Sequence, residues 1–150
     1  MQASEIFDLI KAASPQASLE EGTGAVVIPK KDLLKLCGVL KNHPLAFDDL
    51  HCVTAIDKKE RVELVYIFYS TSQPHTLILK IYLDPDDLSV ESLAPVWRSA
   101  NWLERETYDL FGVTFLNHPD PRRILNPYDW KSYPLRKDYS HPDFIPRPRS

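Results

Sequence analysis

The chain has 150 residues, of which 43% are hydrophobic and 26% are charged, and its formal net charge is −3. This length and hydrophobic content predict a single domain with a buried core. The longest apolar run, Leu64–Tyr69, has six residues, far fewer than the roughly 20 that a membrane-spanning helix needs, and the amino terminus lacks the charged and then apolar segments of a secretory signal. We therefore expect a protein of the cytosol or of the cytosolic side of a membrane.

Helical and strand patterns alternate at the start of the chain. Ser4 is placed to cap a helix over Glu5–Ala13, in which apolar residues recur at helical spacing. The apolar segment Ala25–Ile28 is typical of a short buried strand. Pro29 then suits the entry to a second helix, over about Lys30–Lys41.

Three longer strands are predicted in the middle of the chain, over Leu50–Ile56, Arg61–Ser70 and His75–Leu83. The turns between them are short and polar, which favours antiparallel pairing of neighbours. The second of these strands has apolar side chains on both faces, as expected at the centre of a sheet. After the strands we predict a short helical piece over Val90–Trp97 and, later, a brief edge strand over Val113–Leu116.

A further helix is predicted to begin near Asn101 and to end at Gly112. Asn101 and Glu104 have the spacing of an N-cap residue and its reciprocal partner, and a left-handed glycine commonly ends a helix. Together, these patterns predict an α+β fold in which helices pack on a mostly antiparallel sheet.

Residues 118–150 differ from the rest of the chain in composition. Seven of the thirteen prolines fall between Pro119 and Pro148, and the segment holds 7 basic and 4 acidic side chains, against 11 and 17 in residues 1–117. Proline disfavours regular structure. We therefore predict a core domain over residues 1–117 and an extended, basic C-terminal arm over residues 118–150 that docks on an acidic surface. Charge alone equally allows the arm to fold back on its own domain.

The usual cofactor and metal motifs are missing. Gly22 and Gly24 precede a strand instead of following one, and no third glycine opens a helix, so the dinucleotide-binding pattern is absent. Iron–sulfur ligation typically needs four thiolates, or two thiolates with two histidines, whereas the chain has only Cys37 and Cys52. Neighbouring strand residues such as His51 and Cys52 face opposite sides, which disfavours a shared zinc ion. We predict no metal or cofactor on this chain and, with two cysteines, a reducing compartment.

Two glutamates on the third helix are candidates for acid–base chemistry. Glu104 and Glu106 lie two residues apart, which turns them about 200° away from each other on a helix, so they do not converge on one substrate atom. Arg105 and Asp109 have the spacing of a helical ion pair. His118 lies in a loop with no nucleophile nearby in the sequence. We therefore interpret these residues as structural or interfacial and predict no catalytic residue.

The arm alternates basic and aromatic side chains, which allows two interpretations. Such a pattern is typical of a single-stranded nucleic-acid surface and of a protein-docking surface, where arginine and aromatic residues are frequent anchors. The acidic total charge argues against nucleic acid. Arg122 and Arg123 follow Asp120-Pro121, where a helix cannot continue, so at least one guanidinium is expected to project outward.

A pattern of fixed residues runs from the third predicted helix into the arm. It is Glu-Arg-Glu, two residues, Asp, two apolar residues and Gly, followed by His-Pro, Arg-Arg-Ile-Leu and Pro-Leu-Arg-Lys-Asp-Tyr. This pattern resembles the C-subunit family of NADH:quinone oxidoreductase, or respiratory complex I. The residues that we take as the family motif and expect at an interface are Glu104, Arg105, Glu106, Asp109, Gly112, His118, Pro119, Arg122, Arg123, Pro134, Leu135, Arg136, Lys137, Asp138 and Tyr139.

The resemblance implies a non-catalytic subunit in the hydrophilic arm of a proton-translocating complex, bracing the large subunit that helps form the quinone site. NADH, flavin, iron–sulfur clusters and quinone are then expected on partner subunits. The chain is expected on the cytoplasmic side of the cell membrane, touching the membrane only through the complex. An equivalent subunit of a membrane-bound hydrogenase, or of another quinone-reducing complex, shares the pattern. A free-standing nucleic-acid-binding module is the alternative from a different class.

Overall fold

A computed structural model describes residues 3–148 and shows an α+β arrangement of three helices and seven strands in that range. The elements, in chain order, are α1 (Ala3–Ala13), β1 (Ser18–Leu19), β2 (Val26–Val27), a 3-10 turn (Lys30–Asp32) that leads into α2 (Leu33–Asn42), β3 (Asp49–Asp57), β4 (Val62–Ser70), β5 (His75–Leu83), β6 (Ser89–Glu91), α3 (Ala100–Phe111) and β7 (Thr114–Leu116).

The central sheet has five strands in the order β1-β2-β5-β4-β3. Its three long strands are antiparallel neighbours, with Leu64 of β4 opposite both Ala55 of β3 and Ile81 of β5. Only β2 joins the sheet in parallel, beside β5. A second, two-stranded parallel sheet is formed by β6 and β7. The predicted α+β class with a mostly antiparallel sheet is therefore confirmed.

The two faces of the central sheet differ in burial. On the inner face, Leu64, Tyr66 and Phe68 of β4 are fully buried and belong to one core with the apolar stripes of α1 and α2. The alternate side chains form the outer face, which consists of Cys52, Thr54 and Ile56 of β3, Glu63, Val65, Ile67 and Tyr69 of β4, and Thr76, Ile78, Lys80 and Tyr82 of β5. Glu63, Val65 and Lys80 are buried; the other side chains of this set are partly or largely exposed.

Helix α3 lies along β3, the edge strand of the sheet. The Thr107 hydroxyl donates to the Val53 carbonyl at 2.9 Å, and the Ser99 hydroxyl donates to the Leu50 carbonyl at 2.9 Å. Unpaired groups on an edge strand invite pairing with another chain. These two hydroxyls therefore satisfy part of that edge and also place α3 where the arm can reach it.

Three local predictions are wrong. Ser4 lies within α1 and does not precede it. Asn101 lies inside α3, whose N-cap is Ser99 with no side-chain cap bond, because Glu104 bonds to a distant loop instead. Val90–Trp97 is not helical: β6 occupies its start and pairs with β7, and a turn follows in which the N–H of Trp97 donates to the Leu93 carbonyl at 2.9 Å.

Within the described range, the longest helix is α3 with 12 residues, and no helix there has the length and apolar content needed to cross a bilayer.

Candidate subunit interface and the helix that anchors it

Asp109 on α3 is the centre of the contacts that hold the arm. Its side chain is fully buried, and Oδ2 accepts the backbone N–H groups of Ile124, Leu125 and Asn126 at 3.1, 2.7 and 2.9 Å. Oδ1 accepts from Arg123 Nη1 at 2.8 Å and from Asn126 Nδ2 at 2.9 Å. One carboxylate therefore fixes the conformation of four consecutive arm residues.

These contacts also fix the charge of Asp109. Burial by itself raises the pKa of this carboxyl, but the N–H of Asn126 and the Arg123 guanidinium outweigh burial and hold the pKa well below its usual range. The carboxylate is thus ionised at neutral pH. Arg123, whose side chain is 8% exposed, is its ionic partner and also donates to the Ser132 carbonyl at 2.9 Å.

Arg105, on the same helix, supports the first turn of the arm. Its Nε donates to the Arg122 carbonyl at 3.0 Å and its Nη2 to the Arg123 carbonyl at 3.2 Å. Its Nη1 lies 3.6 Å from the Asp120 carboxylate, and the guanidinium covers the ring of Trp102 at 4.9 Å. The helical pair expected between Arg105 and Asp109 gives way to these contacts, because each side chain has found partners in the arm.

Glu104 is buried at the other side of α3, where it joins the helix to the loop after β6. Its carboxylate accepts from the Ser92 hydroxyl and from the Leu93 N–H, both at 2.6 Å. Burial raises the pKa of this carboxyl to about 7, although the two hydrogen bonds oppose the rise. Glu106 on the same helix is exposed, so the two glutamates do not share a site, as their spacing predicts.

His118 contacts Glu104 at the point where the arm begins. Its Nδ1 accepts the Asp120 N–H at 2.9 Å, which implies that the proton is on Nε2. That nitrogen donates to the Asn101 carbonyl at 3.0 Å and lies 3.7 Å from Glu104 Oε2. A cavity of about 40 Å³ is lined by both side chains and by Phe115.

Gly112 ends α3 and leaves room for the arm to cross. Its φ of 78° lies in the left-handed region, and a Cβ at this position would come within 2.6 Å of the Tyr133 ring. Leu135 N–H donates to the Leu110 carbonyl at 2.9 Å next to this crossing. The sequence predicts the helix-ending glycine, but not the aromatic ring that requires the same position to lack a side chain.

A third anchor lies at the far end of β3. Asp57 Oδ2 accepts the N–H of Lys137 at 2.9 Å and lies 3.0 Å from Arg136 Nε. Burial alone raises the pKa of Asp57, but the bond from Lys137 and the charge of Arg136 leave the pKa below its usual value. The sequence places Asp57 in a polar connection and gives no sign of this role, because its partners lie 80 residues further along the chain.

Comparison with known proteins decides the family. Residues 26–144 match the family described as respiratory-chain NADH dehydrogenase, 30 Kd subunit. The chain belongs to this family. The resemblance inferred from the motif is therefore confirmed.

Curated relatives agree over most of their length. The chain is 41% identical over 134 residues to the C subunit of NADH-quinone oxidoreductase from Geotalea uraniireducens, a match that covers 86% of this chain and 81% of the relative. It is 40% identical over 133 residues to the J subunit of NAD(P)H-quinone oxidoreductase from Prochlorococcus marinus, covering 82% and 75% of the two chains.

Solved structures share the fold. A trypsin-resistant fragment of Nqo5 superposes with a TM-score of 0.68 and 26% identity, covering 80% of this chain and 99% of the fragment. A chain of the archaeal membrane-bound sulfane sulfur reductase superposes with a TM-score of 0.76 over 93% of this chain and 86% of its own, at 23% identity. The second likeness shows a common fold.

The motif of this 30 Kd subunit divides into an inward and an outward set. Glu104, Arg105, Asp109, His118 and Arg123 have buried or nearly buried side chains that connect α3 with the arm. The outward set has exposed positions and consists of Glu106, Pro119, Arg122, Leu135, Lys137 and Asp138; Gly112, Pro134, Arg136 and Tyr139 are intermediate.

The surface of the arm is rich in apolar side chains that are not among the predicted interface residues. Leu125, Tyr128 and Ile145 are 65%, 92% and 93% exposed. Trp102, on α3 beside the start of the arm, is 62% exposed. Exposed large aromatic residues next to arginines are the usual composition of protein-docking surfaces. The sequence analysis missed Trp102, although its position on the helix that carries the motif is a usable signal.

No group of three or more His, Cys, Asp and Glu side chains in residues 3–148 is arranged to hold a metal ion. Cys37 is buried on α2, and burial raises the pKa of its thiol well above the usual range. That the chain carries no cofactor stays a prediction.

We predict a graded pattern of amide hydrogen exchange along the arm in the isolated protein. From composition alone, we expect easy opening from Asn126 onward. The amides bonded to Asp109 and Asp57 move this boundary to about Asp138, because beyond it the backbone bonds are local, such as the N–H of Phe144 to the His141 carbonyl. Exchange mass spectrometry should find slow exchange at Leu125 and fast exchange after Asp138. Equal protection throughout the arm and β4 would contradict this.

Proposed function

We propose that this chain is a non-catalytic subunit in the hydrophilic arm of a proton-translocating NADH:quinone oxidoreductase and that it braces the large subunit that helps form the quinone site. The observation that supports this most directly is the C-terminal arm. It is fixed to the core at Asp109, Gly112 and Asp57, while its outer side presents exposed apolar and basic side chains.

Fixing the arm before docking favours tight association. Ordering a flexible segment during binding costs free energy, and a segment that is already ordered avoids much of that cost. The buried Asp109 carboxylate, which accepts five hydrogen bonds, orders the segment that carries Leu125 and Tyr128. The basic charge of the arm favours an acidic partner surface. The acidic charge of the core disfavours nucleic acid, which is also negatively charged.

In this proposal the chemistry belongs to other subunits. NADH, flavin, iron–sulfur clusters and quinone would bind there, and electron transport and proton translocation would be properties of the whole complex, to which this chain contributes as a peripheral subunit on the cytoplasmic side of the membrane. We predict that the purified chain is colourless, because it has only two cysteines, both free, and no glycine-rich loop that could bind the phosphates of a flavin or nicotinamide cofactor. Absorbance spectra and metal analysis test this, and stoichiometric flavin or iron would contradict it.

The two neighbouring arginines allow a test that separates docking from folding. Arg122 pairs with Asp120 on the surface, and its side chain is 74% exposed. Arg123 is instead paired internally, with Asp109. A double replacement would therefore mix the two effects, and single replacements are needed.

We predict that Arg122→Glu leaves thermal melting of the isolated chain unchanged and weakens its binding to the large subunit on the order of 30-fold or more, as expected for loss of an interfacial charge contact. Arg123→Glu should instead destabilise the isolated chain, because it places a second carboxylate beside Asp109. Melting curves and a pull-down of the large subunit measure the two effects.

Lys131→Glu is the matched control, since it makes the same charge change at an exposed arm residue outside the motif. Binding that is equally weak in this control would show that only the total charge of the arm matters. Unchanged binding by Arg122→Glu would contradict an interface at this position.

A related membrane-bound complex is the second candidate, favoured by the fold shared with the sulfane sulfur reductase chain. Purification of the tagged chain from its native source distinguishes the two. A large complex that contains flavin and oxidises NADH supports the first proposal, and one without these supports the second.

A further inference from the structure

We infer that the outer face of the central sheet is a second docking surface, separate from the arm, and that its occupant is a basic amphipathic segment of another subunit. The apolar members of this face are Ile56 of β3, Val65, Ile67 and Tyr69 of β4, and Ile78 of β5, and Thr76 of β5 lies opposite Tyr69. The inference concerns a different side of the molecule from the arm and does not depend on the arm's docking.

The first argument is the composition of β4. An antiparallel strand with one face in water normally alternates apolar and polar side chains, whereas apolar side chains on both faces are typical of a strand covered on both sides. Of the four β4 side chains that point away from the core, Glu63 is ion-paired with Arg61 and Lys80, and the other three, Val65, Ile67 and Tyr69, are aliphatic or aromatic. The helices cover only the inner face, so in the isolated chain Ile67 and Tyr69 stay partly exposed.

The second argument is continuity across three strands. Ile67 of β4 lies directly opposite Ile78 of β5, and its other neighbour is Cys52 of β3. Ile56, further along β3, is 40% exposed and lies opposite Glu63, at the ionic end of the face. The apolar strip therefore crosses the sheet from the edge strand to β5 instead of consisting of scattered single residues, which is the distribution that marks interaction sites.

The third argument is charge, which selects the kind of partner. At one end of the face, Lys80 lies between Glu20 and Glu63 at 2.6 and 3.4 Å, and Arg61 pairs with Glu63 at 2.7 Å. The cations and carboxylates there balance one another. This end offers no unmatched charge to a partner.

The opposite end is acidic. Asp48 follows α2 and bonds to the Thr71 hydroxyl and N–H, and Asp49 begins β3 with its carboxylate 3.2 Å from His51. Glu106 on α3 lies close enough to Cys52 of β3 for its negative charge, together with burial, to raise the pKa of that thiol. A third carboxylate is therefore near the β3 edge of this face. The charge of Lys41 acts on Asp48 and His51 contacts Asp49, so the three carboxylates of this end outnumber its one lysine. Such an acidic rim around an apolar strip complements a segment with apolar residues on one side and lysine or arginine at its flank.

The shape of the acidic end fits a long basic side chain. An open concavity of about 470 Å³ is lined there by Asp49, Ile67, Tyr69, Thr71 and Thr76, among others. An arginine or lysine stem can lie along the apolar wall of such a concavity while its charged head meets a carboxylate. Asp49 supplies that carboxylate at the rim.

Site-specific photo-cross-linking in the native cells tests the inference. p-Benzoylphenylalanine is placed at Thr76, an exposed outer-face position, in the full chain expressed in place of the natural one. Leu34, which is 41% exposed on α2, provides the control position on another side of the molecule. We expect Thr76 to cross-link to an apolar, lysine- or arginine-rich peptide of another subunit and Leu34 to give no such product.

Asp49→Lys should then reduce the Thr76 cross-link several-fold without changing the melting temperature of the free chain, whereas Asp8→Lys on exposed α1 should not reduce it. Cross-linking of Thr76 to a second copy of this chain, to an acidic peptide, or to no protein overturns the inference, as does a yield unaffected by Asp49→Lys.

A third position separates this inference from the proposed function. Tyr128 on the arm should cross-link to the large quinone-site subunit. A product at Tyr128 without one at Thr76 refutes only the second surface. A product at Thr76 without one at Tyr128 refutes only docking through the arm.

Discussion

Replacing Asp109 with asparagine is expected to lower the free energy of unfolding by about 3–5 kcal/mol, which is the usual range for removing one partner of a buried ion pair. Asparagine has nearly the same shape, but only one of its terminal atoms can accept hydrogen bonds. Oδ2 now accepts three backbone N–H groups and Oδ1 accepts two side-chain groups. At least two donors lose their acceptor, and the Arg123 guanidinium stays buried without its counter-charge.

Chemical denaturation of the isolated chain measures this loss, and the melting temperature should fall by roughly 10 °C for a protein of this size. Hydrogen exchange at Ile124, Leu125 and Asn126 should accelerate at the same time, because their N–H groups bond to this carboxylate. Asp129→Asn, at an exposed arm residue, is the matched control and should change the free energy of unfolding by less than about 0.5 kcal/mol. A similar small change for Asp109→Asn would show that the arm is not held through α3.

Periodicity predicts most of the framework because the core is built from regular elements. The apolar spacing of Leu33, Leu34, Cys37 and Leu40 predicts α2, although Leu34 does not face inward as expected and is 41% exposed. Alternation along β3 and β5 predicts their pairing with β4. The failure at Asn101 shows the limit of such reasoning. Its spacing to Glu104 satisfies a local capping rule, yet the carboxylate bonds to Leu93, which local spacing cannot reveal.

The sequence motif singles out Asp109, but it does not indicate the contacts of this residue. Asp109 lies inside the predicted helix, where a short polar side chain is disfavoured, and such a residue needs a tertiary partner when it is buried. Nothing in the spacing indicates that Asn126 and Arg123 are those partners. The contact between Asp57 and Lys137 is still less accessible, since the path of a proline-rich arm follows no periodic rule.

The stability of the isolated chain is expected to fall by about 2 kcal/mol between pH 5.5 and pH 8, because of Glu104. Burial raises its pKa in the folded chain to about 7 from the ordinary value of 4.5. Between these two values the unfolded chain has lost the proton and the folded chain keeps it, so the stabilising contribution is full below about 4.5 and is lost as the pH rises through about 7. The slope of stability against pH is therefore negative in this window and levels off above it.

Tyr66 on β4 and Cys37 on α2 do not cancel this effect, because their pKa values are raised mainly by burial and further by the charge of Glu104. Neither the phenol nor the thiol titrates between pH 5.5 and 8. The buried Asp109, whose pKa is lowered, loses its contribution only at much lower pH.

Glu104→Gln should remove the slope, because glutamine can still accept the Leu93 N–H and can donate to the Ser92 hydroxyl but cannot ionise. Urea unfolding of both proteins at several pH values between 5.5 and 8 measures the difference. Glu106→Gln, at the exposed glutamate of the same helix, should keep the slope of the wild-type chain. Stability that rises with pH, or a negative slope that persists in Glu104→Gln, would show that the proton does not reside on Glu104. The interpretation that a neutral Glu104 carboxyl joins α3 to the loop after β6 would then be wrong.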